Sequence, residues 1–131
     1  VNVRMLLEPG IAEMAALNAT DAGIEKLQSL CDLVERKIER GESYIADDIA
    51  FHTCVAECSG NKVVEQLIPI IDTAVLMFVN VTHQKLKKET IMTHRAVTDA
   101  IIERDPVGAR SAMMMHMTFN RNMIKEMLKE S

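Results

Sequence analysis

Four side chains in this sequence have the types and spacing of a buried metal centre: Asp48, His52, His94 and His116. Asp48 and His52 are four residues apart, so on a helix they lie on the same face. His94 and His116 each lie at the centre of the apolar face of a separate predicted helix. The apolar neighbours on the three faces are Ile45, Phe51 and Val55; Ile91, Val97 and Ile101; and Ala109, Ala112 and Met123.

Buried polar groups of this kind need partners, because an unpaired buried carboxylate costs several kcal/mol, on the order of 3–5. One such histidine is more often a satisfied core residue, but three with a carboxylate one turn away favour a metal site. Three imidazole nitrogens and one carboxylate oxygen suit a divalent first-row transition ion. We therefore predict a metal ion bound by Asp48, His52, His94 and His116, with zinc as the preferred ion and nickel or manganese as alternatives.

Three further residues are candidates for binding a small ligand: Arg4, Asp72 and His83. Arg4 shares a face of the first predicted helix with apolar residues, where a buried guanidinium would suit a carboxylate; a surface arginine is the equal alternative. His83 lies on the same side of the fourth predicted helix as Asp72, and this side could face the bundle interior. For His83, a pocket-lining role and a structural or surface role stay equally open.

The elements that would position these side chains are helices. Residues that cap or break helices divide the chain into about six helices, and nothing resembles a β-hairpin. The predicted fold is therefore an all-α, antiparallel bundle. Pro9 should kink the first helix or delay its start, and Pro69 should bend the fourth. The predicted helices run over about 4–18; from the cap Thr20–Asp21 to Gly41; over about 44–58 with Ser43 as cap; from after Asn61 to about Leu86; over about 90–104; and from Asp105–Pro106 to near the end.

The fourth predicted helix is apolar on nearly every side, so we expect it to be central or to form an interface. A bundle of six helices does not cover such a helix on every side, and this predicts a homodimer.

The composition agrees with one helical domain over residues 1–131. Apolar residues make up 48% and charged residues 26%, a globular balance, while aromatic residues at 3% argue against sheets. A net charge of −4 makes it unlike a domain that binds DNA through its own surface. No apolar stretch is long enough to span a membrane. The odd count of 3 cysteines indicates reduced thiols in the cytoplasm. We predict that Cys54 and Cys58 are small buried residues.

Several short motifs follow one another along the chain: Arg4-x-x-Leu7-Glu8-Pro9 leading to Ala15-Ala16, Asp48-x-x-Phe51-His52, Ser59-Gly60-Asn61, His94 followed by Ala100-Ile101 and Arg104-Asp105, then Ala109 and His116. Together they resemble the FCD effector domain of FadR-type, GntR-family bacterial transcriptional regulators, from Arg4 to about Phe119. The resemblance implies a bundle of six or seven helices that dimerises and binds a small organic acid, often beside a metal held by one Asp and three His. Those ligand positions match the four residues above.

In such regulators an N-terminal winged helix-turn-helix binds operator DNA, and this sequence contains no such segment. We therefore expect it to be the sensing half, binding operator DNA only through a missing N-terminal domain. The stretch between the fourth and fifth helices matches no motif, which leaves the effector-selecting residues open. We expect a small carboxylate effector that coordinates the metal directly, while Arg4 or His83 pairs a second acidic group.

Two other functions remain as alternatives. A metal-dependent, hydrolase-like enzyme could use an open coordination position, but the sequence has no HExxH motif and no paired Glu-x-x-His motifs. A purely structural helical dimerisation domain would pair the four polar residues without metal. We predict that the chain is not an enzyme and assign no catalytic residues.

Overall fold

The computed structural model describes residues 3–78 and 87–130, without the side chains of 76–78, 123, 124 and 126–130. Within these ranges every regular element is a helix, and the predicted all-α bundle is confirmed. None of the described helices is long and apolar enough to cross a membrane. The six helices are α1 (Val3–Asn18), α2 (Asp21–Glu39), α3 (Ile45–Cys58), α4 (Lys62–Phe78), α5 (Lys87–Ile102) and α6 (Pro106–Glu130).

The ends of α2 follow the predicted capping residues. The hydroxyl of Thr20 accepts a hydrogen bond from the backbone N–H of Gly23 at 3.0 Å, which satisfies one of the free donors of the first turn. At the other end Gly41 has φ of +73°, a left-handed conformation that favours glycine. This turn lets the N–H of Glu42 donate to the carbonyl of Lys37 at 2.9 Å, so the helix ends there.

The beginning of α3 differs from the prediction. Ser43 was expected to cap this helix, but the N-cap position belongs to Tyr44, which makes no side-chain capping bond. Tyr44 is buried against Val34 and Ile38 of α2. Because this packing fixes where the tyrosine lies, it also fixes where the helix begins, and the hydroxyl of Ser43 is one residue too early.

Helix α1 continues through Pro9 without interruption. Proline lacks an N–H, so one backbone hydrogen bond is lost, but the helix does not end there. The turn around Pro9 is buried together with Arg4 and Glu8, and α1 packs mainly against α6 and α3. This packing places two charged side chains of α1 inside the bundle.

Helix α4 packs on α3 and only slightly on α1, so within the described residues it lies at the edge of the bundle rather than at its centre. It buries Ile68 and Asp72, while Val63, Leu67 and Ile70 are exposed. Of the two roles predicted for this helix, the described residues do not show the central one, and the role of α4 as an interface stays a prediction.

The main apolar core combines residues of all six helices, among them Leu27, Phe51, Ile101 and Met113. In the methionine run of α6, Met113 is buried whereas Met114 and Met115 are exposed, as the helical period predicts. The predicted ligand residues lie on the buried faces of α3, α5 and α6.

Candidate metal centre

The structure brings Asp48, His52, His94 and His116 together in the interior. Each of the four is at most 2% exposed. One ligand atom from each residue can be chosen so that all four atoms lie within 4.8 Å of one another. Three helices therefore converge on one group of four donors, as their positions on the helical wheels predicted.

The distances between these donors fit a shared cation. Oδ1 of Asp48 lies 2.9 Å from Nε2 of His94 and 3.3 Å from Nε2 of His52. Nε2 of His52 lies 3.2 Å from Nε2 of His116. Donors with bonds of about 2.0–2.2 Å to one ion are themselves about 3.0–3.5 Å apart, so these three contacts have the spacing of a coordination shell.

The second nitrogen of His116 is held by Thr93. Nδ1 of His116 lies 2.7 Å from the hydroxyl oxygen of Thr93, and this hydroxyl donates its own hydrogen to the carbonyl of Glu89 at 2.8 Å. Since the hydroxyl hydrogen is already used, Thr93 accepts a hydrogen bond from Nδ1–H. The hydrogen-bond network thus assigns His116 a tautomer whose Nε2 lone pair points to the other donors.

Glu8 holds His52 in the same way. Nδ1 of His52 lies 2.5 Å from Oε1 of Glu8, and an ionised carboxylate can only accept. Nδ1 therefore carries a hydrogen and Nε2 faces Asp48 and His116. A carboxylate behind a histidine ligand fixes its ring and raises its basicity in many metal sites.

The electrostatics of the centre favour one positive charge at His52. Burial alone would lower the pKa of His52, but the carboxylates of Glu8 and Asp48 outweigh it and raise that pKa to about 10. Burial, with the neighbouring His94 and His52, lowers the pKa of His116 well below its usual range. The centre thus favours a positive charge, at His52, beside a neutral imidazole, that of His116. A divalent metal ion bound between them would also supply this positive charge.

Glu8 belongs to a second buried cluster with Arg4 and Asp72. Nε of Arg4 lies 2.8 Å from Oε2 of Glu8 and 3.1 Å from Oδ1 of Asp72. Glu8, His52 and Asp72 could themselves surround a cation, and the guanidinium of Arg4 already supplies one positive charge beside both carboxylates. Burial opposes the ionisation of Glu8, but the charges of His52 and Arg4 hold its pKa at about 2. Burial and the charge of Glu8 raise the pKa of Asp72 to about 7.

The structure describes two of the three candidate ligand-binding residues, Arg4 and Asp72. Arg4 is buried, so the surface alternative was wrong, and its carboxylate partners are Glu8 and Asp72 of the same chain. Asp72 is buried as well. His83 lies outside the described residues, as does the predicted extension of α4 over 79–86. Their roles in binding an effector stay predictions.

Sequence reasoning missed two supporting residues, Glu8 and Thr93. Glu8 is one helical turn after Arg4 on the same predicted face, so the helical period that located the histidines could also have predicted its burial. Thr93 gave no comparable signal, because a threonine inside a helix commonly bonds back to its own backbone. A further contact comes from Phe51, whose ring stacks on His94 with centroids 4.2 Å apart.

Fold and site together define a helical domain with a buried candidate metal centre. The chain belongs to the FCD domain family, whose sequence model matches residues 1–119. The resemblance to FCD domains that its motifs suggested is therefore confirmed.

Its relatives agree with this membership. The chain is 28% identical over 119 residues to the HTH-type transcriptional repressor NanR of Citrobacter rodentium, covering 88% of this chain and 46% of that protein. It is 27% identical over 119 residues to NanR of Escherichia coli K12, covering 88% of this chain and 45% of that protein. Among solved structures it is similar to Streptococcus agalactiae GntR, with a TM-score of 0.82 and 31% identity over 92% of this chain and 55% of that one.

The chain spans about half the length of the curated relatives it matches. These relatives are transcriptional repressors, and kinship with them supports the expectation that this domain is not an enzyme.

Proposed function

We propose that this domain is the ligand-sensing and dimerisation part of a transcriptional regulator, with a metal-dependent effector site in its interior. Asp48, His52, His94 and His116 hold a divalent transition metal, of which zinc is the preferred candidate and nickel or manganese the alternatives. The regulator binds operator DNA through an N-terminal helix-turn-helix domain, and residues 1–131 form its single sensing domain. Membership of the FCD family supports this assignment.

One observation carries the metal proposal: the Nε2 atoms of His52 and His116 face each other at 3.2 Å while both Nδ1 atoms are hydrogen-bonded elsewhere. Two imidazoles that both keep a lone pair on Nε2 repel each other, so this arrangement needs a proton or a metal ion between them. Asp48 supplies a negative charge next to both His52 and His94. A divalent ion would satisfy all four groups at once, whereas a proton satisfies only part of them.

The effector is a small carboxylate, such as a hydroxy acid, a dicarboxylate or a sugar acid, that coordinates the metal directly. A metal ion with four protein ligands can accept further oxygen ligands if it is six-coordinate. Arg4 supports a role beside the metal, because its buried Nη2 has no hydrogen-bond partner in the part of the chain that the structure describes. A second acidic group on the effector would find a donor there.

Regulation follows from where the ligands are placed. The metal ligands come from α3, α5 and α6, and Glu8 connects α1 to the same centre. An effector that binds one arrangement of these helices more tightly than another shifts the domain toward that arrangement. The net charge of −4 agrees with a domain that leaves DNA contacts to another part of the protein.

Calorimetric titration with a panel of carboxylates, including malate, citrate and gluconate, tests the effector site. We expect at least one acid to bind the metal-loaded protein, and its affinity to fall below detection after the metal is stripped from still-folded protein. Circular dichroism checks that the stripped protein keeps its helices. An acid that binds with unchanged affinity to the stripped protein would exclude direct coordination and leave the metal a structural role.

A further inference from the structure

The charged cluster behind the metal centre contains polar atoms that no hydrogen bond satisfies. Nη2 of Arg4 and both carboxylate oxygens of Asp72 have no hydrogen-bond partner among the described residues. Arg4 is 3% exposed and Asp72 is 0% exposed, so bulk solvent does not reach these atoms. A buried donor or acceptor without a partner is costly, and native proteins keep few of them. Arg4 and Asp72 therefore have the properties of side chains that wait for a ligand.

The geometry of Arg4 explains why Asp72 stays open. Nε of Arg4 has a single hydrogen, which it donates to Oε2 of Glu8 at 2.8 Å. Oδ1 of Asp72 is 3.1 Å from the same Nε, so the guanidinium attracts it by charge but gives it no hydrogen bond. Glu8, by contrast, has partners for both of its oxygens, Arg4 and His52. Of the two carboxylates, Glu8 is bound within the chain and Asp72 is free to bind something else.

These open groups lie next to the proposed metal centre. Oδ2 of Asp72 is 3.9 Å from Nδ1 of His52, and His52 is a proposed metal ligand. Burial lowers the pKa of Arg4, but the charges of Glu8 and of other carboxylates, Asp48 among them, outweigh it and raise that pKa. The guanidinium is thus close enough to a second proposed ligand to interact with its charge. A small molecule bound at the centre can reach Arg4 and Asp72 with atoms a few bonds away.

A hydroxyl group matches this pair of open side chains. Its oxygen accepts a hydrogen bond from Nη2 of Arg4, while its hydrogen donates to an oxygen of Asp72. Two neighbouring hydroxyls can donate to both oxygens of Asp72. An ionised carboxylate can accept from Arg4, but it has no hydrogen to donate to Asp72. Arg4 alone would suit a second acidic group, whereas Arg4 together with Asp72 suits a hydroxyl.

The charges of the cluster favour the same choice. Glu8 and Asp72 are two carboxylates beside the one guanidinium of Arg4. A second carboxylate of an effector would add a third negative charge in the interior, where like charges are poorly screened. Hydroxyls make hydrogen bonds there without adding charge. The site therefore fits an effector whose second recognition point is uncharged.

We propose that the effector is a polyhydroxylated monocarboxylate, of the sugar-acid class, whose hydroxyls bind Arg4 and Asp72. This rests on the proposed function, in which the carboxylate of the effector is bound at the metal, and it narrows the effector class given there. Asp72 is the specificity-determining residue, because it accepts from a hydroxyl and repels a carboxylate.

Calorimetric titration of metal-loaded protein with matched pairs of acids tests the proposal. Glycerate and tartronate, threonate and tartrate, and gluconate and glucarate differ within each pair only in the far end, an alcohol in the first acid and a carboxylate in the second. In the pair that binds most tightly, we expect the monocarboxylate to bind at least about tenfold more tightly than the dicarboxylate. Hexanoate, which has the chain and charge of gluconate without its hydroxyls, should not bind measurably.

Asp72→Asn should remove most of this preference. The asparagine keeps the shape and one acceptor but loses the charge, so the difference within the pair should fall below about threefold. Asp99→Asn, the same change at an exposed position of α5, should leave the preference intact. A dicarboxylate that binds as tightly as its monocarboxylate partner, or an unchanged preference in Asp72→Asn, would overturn this proposal alone. If none of the acids binds, the proposed effector site fails and this proposal fails with it.

Thermal melts in chelator give a readout that does not depend on the metal. Because Asp72 is a buried carboxylate without a hydrogen bond, Asp72→Asn should raise the melting temperature of the acid-free protein, whereas Asp99→Asn should leave it unchanged. A lower melting temperature for Asp72→Asn would show that the ion pair with Arg4 already satisfies this carboxylate, and would overturn the proposal.

Discussion

Nδ1 of His52 and Oε1 of Glu8 lie 2.5 Å apart in the interior of the bundle, and this contact joins α1 to the candidate metal centre. Glu8 in turn binds Arg4 at 2.8 Å, and Arg4 lies 3.1 Å from Asp72 of α4. A change in the position of His52 therefore alters the contacts of charged groups on two other helices. This chain of contacts connects the centre to α4, at the edge of the part of the domain that the structure describes.

Glu8→Gln should weaken metal binding without removing a metal ligand. The amide can still accept a hydrogen bond from Nδ1 of His52, but it no longer provides the negative charge that raises the basicity of Nε2. We expect zinc affinity to fall by about 10- to 100-fold, measured by competition with a chromophoric chelator. Glu13→Gln, a change of the same kind on α1 outside the two donor clusters, should leave the affinity unchanged. Equal affinities of all three proteins would show that Glu8 does not support the centre.

Thr93→Val tests the tautomer of His116 with almost no change of shape. Valine cannot accept from Nδ1–H, so a buried donor loses its partner, at a cost of about 1–3 kcal/mol, and His116 loses its fixed orientation. We expect a lower free energy of unfolding in urea and a metal affinity about tenfold weaker. Thr118→Val is the control, because among the described residues Thr118 bonds only back to the carbonyl of Met114, at 2.8 Å, on the exposed side of α6. A Thr93→Val protein that matches this control in metal affinity would contradict the assigned tautomer.

His94→Ala should lower stability more in metal-containing buffer than in chelator. Metal that binds only the folded state adds about 3 kcal/mol when its free concentration is a hundredfold above the dissociation constant. The variant loses this increment in addition to its packing against Phe51. Thermal melts in both buffers separate the two effects. The same loss in both buffers would mean that His94 is only a packing residue.

The exposed apolar face of α4 should mediate a homodimer. Val63 and Ile70 are 72% and 68% exposed, and patches of this kind commonly mark interfaces. We expect Ile70→Glu to shift the protein from dimer to monomer in sedimentation at micromolar concentration. Val107→Glu, at an equally exposed position of α6 (70%), should leave the dimer intact. An unchanged mass for Ile70→Glu, or a monomeric unsubstituted protein, would rule out this interface.

The helical period predicted the site better than it predicted the ends of the helices. Asp48, His52, His94 and His116 are buried because each lies in the middle of an apolar face, and such a face is a property of the sequence itself. The burial of Arg4 was left open and that of Glu8 was overlooked, since which charged residue is paired inside depends on a partner from another helix. Here that partner is His52, 44 residues away in sequence.

The cap of α3 and the position of α4 show the same limit. Ser43 has the right chemistry for a cap, but the packing of Tyr44 against α2 decides where the helix begins. The apolar surface of α4 predicted burial on every side, although a helix can leave such a surface exposed for a partner that one chain does not contain. Both features depend on contacts between elements, which local sequence patterns do not specify.

The metal content of the purified protein shows whether Asp48, His52, His94 and His116 hold a metal ion. Elemental analysis should be made on protein prepared without chelators and without nickel resin, together with an Asp48→Ala, His94→Ala double variant that circular dichroism shows to be folded. We expect about one zinc, nickel or manganese ion per chain in the unsubstituted protein and almost none in the double variant. Unsubstituted protein without a transition metal, even after incubation with zinc and desalting, would rule out a metal centre and leave the four residues a purely structural cluster.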